Sequence, residues 1–135
     1  MAFIEWSDDL TLGFTEIDSQ HHWLVDSTNA LHDELMKGEP SAEEVTKLLN
    51  GLMDYTLTHF VTEELLFEWH HFPEADKHTE EHQAFVRTVK TWLKRHQSGE
   101  RLDREILEFL KAWLIQHILK SDKAYAPYLK SKGVT

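Results

Sequence analysis

Apolar residues recur with the period of an α-helix in four successive stretches of this chain. Leu24, Val25, Leu31 and Leu35 mark one face of a segment from Asp18 to Lys37, and Gly38 and Pro40 close it. Ser41 followed by Glu44 forms a capping box. Val45, Leu48, Leu49, Leu52, Met53, Leu57, Phe60, Leu65 and Leu66 then continue at helical spacing to about His70. Pro73 breaks the chain before a third stretch through Phe85, Val86, Val89, Trp92 and Leu93, which ends at Ser98 and Gly99. The fourth begins near Asp103 and carries Ile106, Leu107, Phe109, Leu110, Trp113, Leu114 and Ile118. Short loops make consecutive helices antiparallel, so the pattern predicts an all-α, up-down-up-down four-helix bundle in one domain spanning 1–135. Residues 1–17 have no helical period and read as an N-terminal arm laid across the bundle, 18–120 as the bundle, and 121–135 as a short C-terminal helix. Trp69, Trp92 and the Leu and Met positions read as core.

Composition narrows the chemistry. A chain of 135 residues buries roughly two-thirds of its unfolded surface and folds without staples. It has no cysteine, so any metal must be held by nitrogen and oxygen rather than thiolate. A formal charge of −10, from 14 Lys plus Arg against 24 Asp plus Glu, repels phosphate backbones and argues against nucleic acid as a partner. The start, MAFIEWSDDL, lacks a positive region and an apolar run, and nowhere do about 18 apolar residues follow one another. The expectation is a cytoplasmic protein without membrane insertion. Ten histidines are many for this length.

The histidines are placed suggestively. HTEEH at 78 to 82 puts His78 and His82 on one helical face, and it also satisfies H-x-x-E-H, a zinc-peptidase pattern. Taken singly, such a pair is ordinary surface decoration, as is His59 with Glu63, and His21 alone says nothing. Together they are informative. In an up-down bundle His21, His59 with Glu63, His78 with His82, and His117 with Asp122 all fall within about 11 residues, or about 17 Å, of one shared end. His59 and His117 also border the apolar stripe, where unpartnered polar groups would cost several kcal/mol each, and a metal is the economical partner. His117 and Asp122 are five apart, about 140° out of line on an ideal helix, so an irregularity is expected around Lys120 and Ser121. His22, His32, His70, His71 and His96 have no converging partners and read as structural or solvated.

The donor count decides against the peptidase, which needs two His and a distant Glu and leaves the other positions unexplained. Five imidazoles and two carboxylates exceed one tetrahedral ion. They suit two borderline ions sharing the carboxylates, with nitrogen and oxygen donors favouring iron over zinc. The same stretches carry a resemblance. IDSQH at 17 to 21 with Leu24, HFVTEE at 59 to 64, HTEEH at 78 to 82 and WLIQHILKSDKAY at 113 to 125 are jointly similar to the hemerythrins, specifically the single-domain bacterial type. Trp6 and Gly13 fit that family's N-terminal arm. The resemblance implies a non-haem di-iron centre: His78, His82 and His117 on one iron, His21 and His59 on the other, and Glu63 and Asp122 as bridges with an oxo or hydroxo group. It implies reversible O₂ binding for delivery or storage rather than an enzyme, at an open position on the second iron. Leu24, Phe60, Trp113, Leu114 and Tyr125 would line the O₂ pocket. NO is a related ligand, and the expected protein is a monomer in transient contact with an O₂-consuming enzyme. Two functions compete. A di-iron oxidase would be carboxylate-rich with paired E-x-x-H motifs, and only Glu68 to His71 has that spacing here. A module sensing O₂, NO or redox state would share the site, and such modules are usually fused to signalling domains.

Overall fold

A computed structural model describes residues 2–135. After a 3₁₀ turn at Asp8–Leu10, the helices are α1 (Thr15–Leu35), α2 (Ala42–His70), α3 (Ala75–Gln97) and α4 (Arg104–Gln116), then a π-helical segment at His117–Asp122 and α5 (Lys123–Ser131). No strand occurs among the described residues, and no described helix is long and apolar enough to cross a membrane. Helix α1 packs on α2 and α4, and α2 on α3. Between α3 and α4 the contact is aromatic: Phe85 stacks on Trp113 with centroids 4.0 Å apart, and Phe109 meets both Phe85 and Trp92.

The expected capping residue is in place, since the Ser41 hydroxyl accepts from the Glu44 N–H. Asp103 caps α4 in the same way, through Glu105 N–H. Helix α1, by contrast, begins at Thr15, before the expected Asp18, and stops at Leu35. The early start has a local cause. Gly13 adopts a φ of 94°, and its N–H and that of Leu12 donate to the Asp18 carboxylate, which turns the arm directly into the helix. A Cβ at Gly13 would also lie 2.9 Å from Lys130 Nζ. The arm does cross the bundle: Asn29 holds the Ile4 backbone through two hydrogen bonds, Ile4 and Leu10 enter the core, and Trp6 stacks on His22.

Part of the expected core is exposed. Leu57, Leu65 and Trp69, together with Val61, face solvent on α2, and Trp69 is 67% accessible. They form an i, i+4 row, whereas Phe60, Glu63 and Phe67 point inward. Helix α2 is apolar on two faces, so periodicity alone could not select the buried one. Met36 is exposed as well.

Two apolar clusters remain. The larger fills the bundle with Leu31, Leu49, Ile106, Leu107 and Leu110 at its centre, each side chain contributing about 1.5–3 kcal/mol on burial. The smaller joins Leu12, Phe14 and Ile17 to Phe67, Tyr125 and Leu129 at one end. A layer of buried polar side chains lies against both, with Phe60 stacked on His82 from the first cluster and Phe67 edge-on to His78 from the second.

Candidate metal centre

That layer consists of the residues singled out above. His21 comes from α1, His59 and Glu63 from one turn of α2, His78 and His82 from one turn of α3, and His117 and Asp122 from the two ends of the π-helical segment. All are buried, none more than 6% accessible. The irregularity expected at Lys120 and Ser121 falls inside this segment, and its physical role is plain. A π turn closes i to i+5, bringing into line two side chains that an α-helix would splay.

The donor atoms form two groups, His78, His82 and His117 with Glu63, and His21 and His59 with Glu63 and Asp122, each lying within 4.8 Å. Glu63 Oε1 is 3.0 Å from His82 Nε2, 3.3 Å from His59 Nε2 and 3.5 Å from His78 Nε2. Asp122 sends Oδ2 to His21 Nε2 at 2.9 Å, and Oδ1 to His78 and His117 Nε2 at 3.0 and 3.1 Å. Both carboxylates therefore reach both groups.

The protein's own hydrogen bonds leave these atoms unsatisfied. His78, His82 and His117 Nε2, Glu63 Oε1 and both Asp122 oxygens are buried without a hydrogen-bond partner among the described residues. His21 and His59 Nε2 point at each other across 3.0 Å. Such groups are costly to bury unpaired, and the cost is removed when they converge on cations. Neutral imidazoles and carboxylates, with no sulfur, match borderline divalent ions such as iron. The residues present fit the di-iron group that the sequence resemblance implies.

Without metal, charge shifts protons within the layer. Burial pulls the His78 imidazolium down, but the close Asp122 and Glu63 carboxylates outweigh it and push the value up to about 10. Burial works against ionised Glu63 and Asp122 as well, yet the surrounding histidines hold both carboxyls below their ordinary range. The raised value favours a proton on His78 at pH 7, which a metal bound there would displace. Loading with ferrous iron is expected to release protons, so calorimetric heats should differ between buffers of different ionisation enthalpy. Equal heats would contradict a protonated His78.

Sequence reasoning missed the residues behind the imidazoles. His59 Nδ1 donates to Gln20 Oε1 at 2.8 Å, His82 Nδ1 to Glu64 Oε2 at 3.2 Å, and His117 Nδ1 lies 3.2 Å from Glu81 Oε2. The signal was adjacency: Gln20 precedes His21, Glu64 follows Glu63, and Glu81 precedes His82. One residue along a helix is a rotation of about 100°, so the neighbour of a ligand faces the next helix. Thus α1 supports the imidazole of α2, α2 that of α3, and α3 that of the π segment. Such partners fix ring orientation and tautomer.

Of the expected pocket, Leu24, Phe60, Trp113 and Leu114 line one narrow apolar cavity with Phe85 and Thr56. Trp113 stacks flat on His117, 4.3 Å between centroids. Tyr125 is placed elsewhere. It lies in the terminal cluster against Phe67 and Phe72, and its hydroxyl donates to Glu63 Oε2. Burial and the carboxylates of Glu63 and Asp122 push its ionisation well up, so it remains a neutral donor.

The remaining histidines lie apart from the layer. His22 stacks on Trp6, His32 on Phe3, His71 caps α2 in the left-handed region, and His96 meets Thr46 Oγ1 and Ala42 O near the start of α2. His22→Ala and His96→Ala are expected to leave iron content and absorption spectrum unchanged. Iron loss in either would mean that the helix faces are misassigned.

Four antiparallel helices around two donor groups that share a carboxylate define a class, the bundle suited to a pair of cations in its core. The Hemerythrin HHE cation binding domain matches residues 12–129. The chain belongs to the hemerythrin family. It is 34% identical over 131 residues to a bacteriohemerythrin of Stenotrophomonas maltophilia, covering 97% of this chain and 84% of that one. A bacteriohemerythrin of Methylococcus capsulatus is 32% identical, over 97% of this chain and all of its own length. A crystal structure of wild-type hemerythrin superposes with a TM-score of 0.88 at 30% identity, covering 95% of this chain and 98% of that one.

Proposed function

We propose that this chain binds O₂ reversibly, as a carrier for delivery or storage, at a di-iron centre held by His21, His59, Glu63, His78, His82, His117 and Asp122. The observation that carries the reading is the set of buried, inward-facing Nε2 and carboxylate atoms without hydrogen-bond partners, beside an apolar cavity. Two ferrous ions, when bound, supply the electrons that O₂ takes up and returns on release. The chain's own contribution is to hold and to shield. Glu63 and Asp122 span both donor groups, Gln20, Glu64 and Glu81 fix the imidazole tautomers, and Tyr125 keeps a proton on the phenol side of Glu63. Leu24, Phe60, Trp113 and Leu114 keep water from one side of the site. In this reading no side chain serves as a general acid or base, and the protein is a binder rather than an enzyme. The donor set supports it: five neutral imidazoles favour a reversible ferrous–ferric couple over the higher oxidation states that carboxylate-rich centres sustain.

The test is an optical titration of the reduced, iron-loaded protein with O₂, followed by removal of the gas. Repeated cycling between two spectra is expected. Irreversible conversion to the ferric form within one cycle, with oxidation of an added substrate, would replace this reading with an oxidase.

A further inference from the structure

The supports behind the imidazoles are unequal. In the group of His78, His82 and His117, two rings are backed by carboxylates, Glu64 and Glu81. Glu81 is itself oriented by the Ser121 hydroxyl, which donates to its Oε2 at 2.6 Å. In the group of His21 and His59, the one support among the described residues is the neutral amide of Gln20, whose Nε2 donates to Thr62 Oγ1 and so turns Oε1 toward His59. His21 Nδ1 is buried with no hydrogen-bond partner among the described residues. Each metal-facing ring uses Nε2 inward, so its proton resides on Nδ1, the atom that meets these supports.

A carboxylate accepting from Nδ1–H draws the proton toward itself and makes the ring a stronger donor, whereas an amide does so weakly. Stronger donation stabilises the higher metal charge. Resting on the di-iron reading above, we infer that Glu64 and Glu81 are positioning residues that make the two iron positions electronically unequal. The first electron to leave the ferrous pair comes from the position held by His78, His82 and His117. The position held by His21 and His59 stays ferrous after that step.

The redox step can be isolated with a one-electron oxidant such as ferricyanide. One electron passes from the diferrous protein to ferricyanide, giving ferrocyanide and a protein with one ferric and one ferrous ion. Glu64→Gln and Glu81→Gln each replace a charged acceptor by a neutral one of the same shape. Each is expected to shift the equilibrium of this first step about tenfold toward the ferrous pair, about 59 mV for one electron. The double variant should shift it further and alter the electron paramagnetic resonance of the one-electron form. Gln20→Glu, which backs a ring of the position that stays ferrous, should leave the first step nearly unmoved and shift the second toward the ferric pair. Spectroelectrochemical titration reads all of these directly, with iron content measured on each sample.

Wild type lacking two irons would overturn the di-iron reading itself. Two irons retained with an unmoved first potential in Glu64→Gln and Glu81→Gln would overturn only this inference. Iron loss from both variants would assign the two carboxylates to ligand retention instead, and would equally overturn it.

Discussion

Iron content is expected to fall below two per chain in His78→Ala and His117→Ala, and the melting temperature to fall with it. His78 Nε2 lies 3.0 Å from Asp122 Oδ1 and His117 Nε2 3.1 Å from the same atom, so either truncation removes a donor and leaves a carboxylate facing a void. Bound metal stabilises the native state by about 2.7 kcal/mol when free metal is a hundredfold above its dissociation constant. Losing that, at a few degrees per kcal/mol for a chain of this size, corresponds to a drop on the order of 10 °C. Metal analysis and calorimetry on iron-loaded samples check both parts. Unchanged iron in both variants would remove these residues from the ligand set. One zinc and no iron in wild type would overturn the di-iron reading.

Leu114→Ser is expected to speed oxidation of the irons to the ferric state several-fold under O₂, with two irons still bound. Leu114 is buried in the cavity wall beside Trp113, within a turn of His117. The lining is apolar except for the hydroxyls of Thr28 and Thr56, and Thr28 already donates to the Leu24 carbonyl. A serine opens space and adds a hydrogen-bonding group, which together admit water. Water brings protons and a higher local polarity, and both favour loss of the electron pair from the site over its return. Truncating a buried leucine also costs about 2–5 kcal/mol of stability, so the rate comparison is made well below the variant's melting temperature. A rate equal to wild type would leave O₂ binding intact but overturn this account of the shield.

Much of this site was legible along the chain because helical periodicity and metal ligation share a geometry. His59 with Glu63, and His78 with His82, are each one turn apart, a spacing that puts both side chains on one face whatever the rest of the protein does. Even the π-helical segment was foreshadowed, since a ligand pair five apart fits no α-helix. The supporting residues were not legible. Gln20, Glu64 and Glu81 lie beside candidate ligands in sequence but meet imidazoles on a neighbouring helix. Which neighbour, and at what height, depends on the packing of whole helices.

The sequence by itself determined the four helices, the end of the bundle where the donors gather, the nitrogen and oxygen character of the site, and the need for a break after His117. These follow from local spacing and residue chemistry. Only the tertiary structure decided which face of α2 is buried, sending Leu57, Leu65 and Trp69 to solvent, because that helix carries apolar residues on two faces and its partners choose between them. It also moved Tyr125 from the cavity to Glu63, since α5 restarts from a π turn whose altered phase no α-helical projection anticipates. The distribution of carboxylate and amide supports between the two groups of imidazoles was likewise settled by packing: each is a contact between helices, and a linear pattern records only contacts within one.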